Sequence, residues 1–139
     1  MSAHLGPVPV PGPDDAPYWR ALAQGVLMIQ RCADCGTVRH PPRPRCGHCA
    51  SAAHRWESAS GRGTVYSFTI VHHPANPELV DSVPYVVALI ELDEGPRLVS
   101  NVVGVDPEHV AIGQRVGVRF DPVGDGMVLP RFTPTEEDR

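Results

Sequence analysis

Apolar and polar residues alternate through the second half of the chain with the period of two that is typical of β-strands. Tyr66, Phe68 and Ile70 fall on one face of a first strand, and Val65 falls on the opposite face. Residues 84–92 are almost continuously apolar, which predicts a strand buried on both faces. Glycine-containing turns help to separate three more strand-like segments, at 98–103, 116–120 and 127–132. Five antiparallel strands in so short a segment predict a small closed Greek-key barrel of the OB type.

The first half of the chain is organised by prolines and by short apolar segments. In residues 1–16 prolines alternate with small residues, which is typical of a flexible arm or of a junction with a preceding domain. An aspartate at position 14 or 15 and Pro17 predict the start of a short helix, and Gly25 predicts its end. Because so short a helix is marginal alone, we expect its Tyr18 and Trp19 to dock on this chain's core or on a partner.

Four cysteines follow the helix in the spacing C-x2-C-x10-C-x2-C, at Cys32, Cys35, Cys46 and Cys49. Each C-x2-C pair can present two thiolates from one tight knuckle, and two facing knuckles supply four sulfur ligands at roughly 2.3 Å from a Zn2+ ion. Because four ligands leave no open coordination position, we expect one structural zinc per chain and no metal catalysis.

The backbone of such a knuckle needs a permissive residue after its second cysteine. Gly36 holds this place after the first pair, and Ala50 holds the equivalent place after the second. We expect Gly47 to offset this departure.

The four cysteines have three alternative uses besides zinc binding: iron binding, disulfide formation and redox chemistry. Rubredoxin-type iron has the same four-thiolate geometry, and spacing alone does not separate the two metals. Disulfides need an oxidising compartment, and no secretory leader precedes the site. A redox pair would need a C-x2-C at the start of a helix after a strand. His40, His48 and His54 lie nearby in sequence, but with four thiolates available they are surplus as ligands.

Strand-like segments at 26–29 and 54–58 flank the cysteines, and prolines between positions 37 and 45 predict a stiff loop between the two pairs. We therefore predict a mainly β fold: a short N-terminal helix, a rubredoxin-like zinc ribbon and a five-stranded OB-fold barrel. The predicted segments are a flexible Pro-rich arm at 1–16, helix and ribbon at 17–58, barrel at 59–133 and acidic tail at 134–139. No apolar run approaches the ~20 residues of a membrane span, so we expect a soluble cytoplasmic protein.

The charge and the side-chain chemistry of the chain disfavour several classes of function. The formal net charge is -4, which disfavours general polyanion binding, and the chain has no lysine for Schiff-base chemistry. There is no G-x-S-x-G nucleophile elbow, and the cysteines are assigned to metal. His72 and His73 are the best general-base candidates, but adjacent strand residues point to opposite faces. We predict no catalytic residue in this chain, and no catalysis by this chain alone.

The order of these motifs resembles a family of bacterial and archaeal proteins that join a rubredoxin-like zinc ribbon to an OB-fold domain and are associated with acyl-CoA metabolism. The match covers roughly residues 17–133. It is carried by GVL at 25–27, RCADCG at 31–36, PPR at 41–43, GRGTVYSFT at 61–69, ELDEGPRL at 91–98 and IG at 112–113.

The resemblance implies a function as a small subunit. Family members support thiolase-like enzymes, either acyltransferases or lipid-transfer-protein-like aldolases that cleave steroid side-chain acyl-CoA thioesters. Some are fused to a hotdog-type enoyl-CoA hydratase. In these assemblies the partner carries the catalytic residues, so we expect a noncatalytic subunit or domain that supports the partner or the acyl-CoA channel.

Contact with the acyl-CoA itself is a further expectation. Coenzyme A carries phosphates, for which arginine is the usual partner. The candidate contacts near the ribbon and its junction with the barrel are Arg39, Arg43, Arg45 and Arg62. The alternatives are an OB-fold nucleic-acid-binding module and a rubredoxin-like iron electron carrier. The first needs a basic groove with aromatic stacking platforms, whereas the barrel segment is net acidic.

Overall fold

A computed structural model describes residues 8–135 of the chain, in two joined modules. One short helix precedes a three-stranded sheet, and a closed barrel of five strands follows. The helix is α1 (Ala16–Ala23), and the strands are β1 (Met28–Cys32), β2 (Val38–Arg39), β3 (His54–Ser58), β4 (Arg62–Val71), β5 (Tyr85–Leu92), β6 (Arg97–Val102), β7 (Arg115–Gly124) and β8 (Met127–Pro134). The predicted mainly β architecture is confirmed. The predicted arm at 1–16 and tail at 134–139 lie partly outside the described residues.

The barrel closes in the order β4-β5-β6-β8-β7, with β7 pairing back onto β4. Neighbouring strands are antiparallel, as predicted, except β6 and β8, which meet in parallel at Val102 and Phe132. The prediction of a fully antiparallel barrel is therefore wrong at this one pairing. Phe132 is fully buried, together with Val65, Ile90 and Val116 from the other strands. The barrel interior is therefore a packed apolar core.

Two other details of the predicted barrel are wrong. The register of β4 against β5 shifts between Val65 and Ser67, so Tyr66 is an extra residue at a β-bulge. The bulge reverses the alternation: Val65 is fully buried while Tyr66 is 46% exposed, contrary to the predicted shared face of Tyr66, Phe68 and Ile70. Strand β5 alternates between buried and half-buried residues, so only one of its faces lies in the core.

The ribbon sheet has the order β2-β1-β3. Its closing strand β3 has the predicted bounds, whereas β1 begins two residues later than the predicted start at position 26. The predicted stiff loop between the knuckles contains the two-residue strand β2, which pairs with β1 at Gln30 and Arg31. This pairing was not predicted because two residues carry no periodicity.

Helix α1 docks on this chain's own core. Tyr18 is 5% exposed and Leu22 is fully buried, and Trp19 packs half-buried beside them. Asp15 precedes the helix, but its carboxylate accepts hydrogen bonds from the Gly12 N–H at 2.6 Å and the Trp19 Nε1–H at 3.2 Å instead of capping the first turn. The expectation that Tyr18 docks on a core is thus confirmed, and Tyr18 presents no surface to a partner.

Candidate metal centre

Two knuckles bring the four cysteine sulfurs together at the edge of the ribbon. All four Sγ atoms lie within 4.8 Å of one another. The Sγ atoms of Cys32 and Cys49 are 3.5 Å apart, and those of Cys35 and Cys46 are 3.6 Å apart. Four sulfurs at about 2.3 Å from a tetrahedral zinc would be about 3.8 Å apart, so the donor set fits such an ion with little adjustment.

The two knuckles repeat the same backbone hydrogen bonds. In each, the residue after the second cysteine donates its N–H to the carbonyl of the first cysteine, at 3.0 Å from Gly36 and 2.9 Å from Ala50. The first cysteine in turn donates its N–H at 2.9 Å to a carbonyl two residues after the second, that of Thr37 or Ser51. The two knuckles thus form a local two-fold repeat with equivalent backbone hydrogen bonds. The C-x2-C spacing predicts the two knuckles but not these hydrogen bonds.

Both repeats need a left-handed backbone at the same position. Gly36 has φ of 79° and Ala50 has φ of 66°. The expectation that Gly47 offsets the missing glycine is wrong, because Ala50 itself adopts the left-handed conformation that disfavours a side chain. The second knuckle therefore holds a strained residue where the first has none.

Main-chain donors around the sulfurs favour thiolates. The Cys35 N–H, with a smaller contribution from the Asp34 N–H, lowers the pKa of the Cys32 thiol to about 6, although burial by itself would raise it. The N–H groups of Cys49 and His48 lower the pKa of the Cys46 thiol. The thiolate is the form of cysteine that ligates a metal, so the lowered pKa values of Cys32 and Cys46 favour metal binding at these two sulfurs.

The knuckles are tied to each other away from the sulfurs. Ser51 Oγ donates a hydrogen bond to the Asp34 carboxylate, which belongs to the first knuckle. The N–H of Ala33 donates to the carbonyl of Ala53 at 2.9 Å. These contacts hold the two sulfur pairs face to face.

The loop between the knuckles is clamped by two buried polar side chains. Gln30, 1% exposed, accepts a hydrogen bond from the Arg43 N–H at 3.0 Å. Arg39, 7% exposed, donates from Nη2 to the Arg43 carbonyl at 2.9 Å. Both side chains project from directly paired positions on β1 and β2. Gln30 was not predicted as part of this site, because no motif marks a glutamine that bonds to a loop.

The four candidate arginines consequently occupy different settings. Arg39 is inside the ribbon and holds the loop, so a ligand would reach its guanidinium only after the loop moved. Arg43 and Arg45 are exposed, and Arg45 donates to the Ala50 carbonyl at 3.0 Å. Arg62 begins β4 in the barrel, where its carbonyl accepts the Asp93 N–H at 3.0 Å. The structure brings Arg39 and Arg43 together and places Arg62 in the other module.

Comparisons with known proteins match both modules. A family model described as the ChsH2 rubredoxin-like zinc ribbon domain matches residues 19–55, and one described as the ChsH2 C-terminal OB-fold domain matches residues 56–121. A DUF35 domain-containing scaffold protein of Methanocaldococcus jannaschii is 36% identical over 126 residues, which are 85% of this chain and 89% of that protein. The chain belongs to the ChsH2/DUF35 family.

Two other relatives of this chain are longer proteins. A probable enoyl-CoA hydratase alpha subunit of Thermomonospora curvata is 45% identical over 94% of this chain. A 3-oxo-4,17-pregnadiene-20-carboxyl-CoA hydratase alpha subunit of Mycobacterium tuberculosis is 43% identical over 77% of it. The chain spans only 40% and 33% of these two proteins. A solved chain described as Ltp2-ChsH2(DUF35) aldolase superposes with a TM-score of 0.82 at 44% identity, covering 91% of this chain and 98% of that one.

Histidines do not join the sulfur cluster among residues 8–135. His48 and His54 are exposed, and the His40 ring packs against Tyr18 with 5.3 Å between ring centroids. Burial lowers the pKa of His40 to about 4, so it is neutral in the folded protein. His72 and His73 are exposed just beyond the end of β4.

Among the described residues, no helix has the length and apolar character needed to cross a membrane.

Proposed function

We propose that this chain is a noncatalytic zinc-binding subunit or domain of an acyl-CoA-processing complex. Its partner would be a thiolase-like or lipid-transfer-protein-like catalytic subunit that performs aldol cleavage of a steroid side-chain acyl-CoA, or an acyl transfer. The observation that carries this proposal is the match, at 44% identity over nearly the whole of that chain, to a structure described as the Ltp2-ChsH2(DUF35) aldolase. The steroid-derived substrate in the name of the Mycobacterium tuberculosis relative supports the substrate class.

A structural role for the metal follows from its donor set. Cys32, Cys35, Cys46 and Cys49 would hold one ion with no position left for substrate or water, so the metal would stabilise the ribbon and carry no chemistry. A module this small cannot bury enough apolar surface to fold firmly by itself, and metal binding supplies the difference. Zinc is proposed over iron because the matching family model describes a zinc ribbon. Metal analysis of the purified protein, together with its colour, separates the two because ferric four-thiolate iron is red.

Contact with the acyl-CoA is proposed for the exposed arginines. Arg43 and Arg45 stand on the outside of the clamped loop, and Arg62 stands at the start of the barrel, where guanidinium groups can meet phosphates bidentately. Arg39 would contribute by holding the loop through the Arg43 carbonyl. A fused or associated hotdog-type enoyl-CoA hydratase is a further proposed partner, supported by the names of the two longer relatives.

The barrel surface does not favour the nucleic-acid alternative. In OB folds the face of the second and third strands commonly binds oligonucleotides, and here those strands are β5 and β6. Their outer face presents Leu89 and the 70% exposed Val99. Arg97 is paired with Glu91 at 3.1 Å and lies 3.8 Å over the Tyr66 ring. Single-strand binding uses free cations and open aromatic platforms, neither of which this arrangement supplies.

The proposal is tested by co-expressing the chain with a thiolase-like or lipid-transfer-protein-like aldolase, followed by size-exclusion chromatography and metal analysis of the eluted peaks. We expect co-elution with one zinc per chain, because one four-thiolate set holds one ion. Elution of the two proteins as separate peaks, each folded, would contradict the subunit function. Iron in the peak would favour electron transfer instead.

A further inference from the structure

The local two-fold repeat of the ribbon places a hydroxyl at the same point of each knuckle. Thr37 and Ser51 both lie two residues after the outer cysteine, and their carbonyls accept equivalent hydrogen bonds at 2.9 Å. Their hydroxyls differ in use. Ser51 Oγ bonds to Asp34, whereas Thr37 Oγ1 lies 3.1 Å from Cys35 Sγ. The two knuckles can therefore be compared directly, because the Thr37 hydroxyl contacts a cysteine sulfur whereas the equivalent Ser51 hydroxyl contacts a carboxylate.

The sulfur beside Thr37 is on the outside of the cluster. Cys32 and Cys46 are buried, and their sulfurs accept main-chain N–H groups from Cys35 at 3.5 Å and His48 at 3.3 Å. Cys35 is exposed, and its sulfur has the Thr37 hydroxyl within hydrogen-bonding distance. An exposed thiolate is the one most open to protonation, alkylation and ligand exchange.

We propose that Thr37 is a positioning residue of the metal centre, whose hydroxyl donates to the metal-bound Cys35 thiolate. This inference rests on the proposed metal occupancy. A ligating thiolate has no proton, so the shared hydrogen must come from the hydroxyl. Four thiolates around a divalent ion leave a net negative charge on the sulfurs, and a donor at one of the two exposed sulfurs stabilises that charge.

The size of the effect follows from the position of the pair. Removing a hydrogen-bond partner of a metal ligand typically reduces metal affinity by about 10- to 100-fold. Because Thr37 and Cys35 are exposed, water replaces part of the lost hydrogen bond, and we expect about a tenfold loss, at the lower end of that range.

The test compares three variants of the full chain. Thr37→Val keeps the side-chain shape and removes the hydroxyl, Thr37→Ser keeps the hydroxyl, and Ser51→Ala removes the equivalent hydroxyl of the other knuckle. Zinc affinity is measured by competition with a chromogenic chelator. Cobalt(II) is then substituted, and the energy of the sulfur-to-cobalt charge-transfer band reports electron density on the sulfurs.

We expect Thr37→Val to lose about tenfold in zinc affinity and to move the charge-transfer band to lower energy, because the undonated sulfur becomes more electron-rich. Thr37→Ser should match the wild type in both. Ser51→Ala loosens a contact between the knuckles but removes no hydrogen bond to sulfur, so it should move the band less than Thr37→Val does. A Thr37→Val protein that loads no metal beside a Thr37→Ser protein that does would support the same conclusion.

Two results would overturn the role of Thr37 while leaving the metal centre intact. One is a loaded Thr37→Val protein with wild-type affinity and band position. The other is an identical band shift in Thr37→Val and Ser51→Ala, which would mean that any loosening of a knuckle produces it. A wild-type protein that loads neither zinc nor cobalt would overturn the metal proposal itself, and the role of Thr37 with it.

Discussion

Ala50 is the residue whose replacement tests the knuckle geometry most directly. It holds φ of 66°, where an L-residue with a Cβ is disfavoured by about 1–2 kcal/mol. Ala50→Gly removes this strain but adds about 0.5–1 kcal/mol of backbone entropy to the unfolded chain. The net expectation is a gain of roughly 0.5–1 kcal/mol in the free energy of unfolding.

Gly36 supplies the matched opposite change. It occupies the equivalent position with φ of 79°, and a Cβ built on it would meet no atom within 4 Å. Gly36→Ala therefore adds backbone strain without a steric clash, and we expect it to lower stability by about the same 0.5–1 kcal/mol. The double variant, which exchanges the two residues, should lie close to the wild type if the knuckles are equivalent.

The assay is thermal and urea unfolding followed by circular dichroism, with zinc in equal excess throughout so that metal linkage is constant. For a chain of this length about 1 kcal/mol corresponds to a shift of about 2–5 °C in the unfolding midpoint. A decrease in stability for Ala50→Gly, or shifts in the same direction for both variants, would refute the argument that the knuckles share one left-handed position.

Three further predictions concern the ribbon and its contact with the helix. Burial lowers the pKa of His40 from 6.5 to about 4. The neutral His40 therefore contributes fully to the free energy of unfolding above pH 6.5, and this contribution is lost as the pH falls toward 4. Between pH 7 and 5 the loss is about 2 kcal/mol. In urea unfolding at several pH values, His40→Gln should flatten that part of the profile, and an unchanged slope would contradict the assignment. Gln30→Leu should lower the free energy of unfolding by about 0.5–1.5 kcal/mol, because it removes the acceptor of the part-buried hydrogen bond that the Arg43 N–H donates. Ser58→Ala, at an exposed position of the same sheet, is its control. Cys46→Ser or chelation should unfold the ribbon and abolish partner binding in co-elution, whereas a soluble variant with wild-type association would contradict a structural metal.

The fold was predictable to the extent that it rests on local patterns. The alternation in residues 64–70 and 116–120, the turns and the cysteine spacing place the five barrel strands and the two knuckles. Two predictions about which strand faces are buried were wrong. The bulge at Tyr66 reverses the faces of β4, and the half-exposed outer face of β5 depends on which strands cover it. A bulge leaves no mark in hydrophobic periodicity, and burial of a second face depends on neighbours distant in sequence.

Cysteine spacing and period-two alternation are local chemical facts, so the amino-acid sequence was enough to predict the candidate metal ligands, the order of the modules and the number of barrel strands. The folded chain was needed to establish the strained φ of Ala50, the burial of Arg39 and the contact of the Thr37 hydroxyl with Cys35 Sγ. Each of these depends on what the folded chain brings within hydrogen-bonding or van der Waals distance. The clamp of Gln30 and Arg39 on the Arg43 main chain joins residues of three separate segments, which no local pattern can relate.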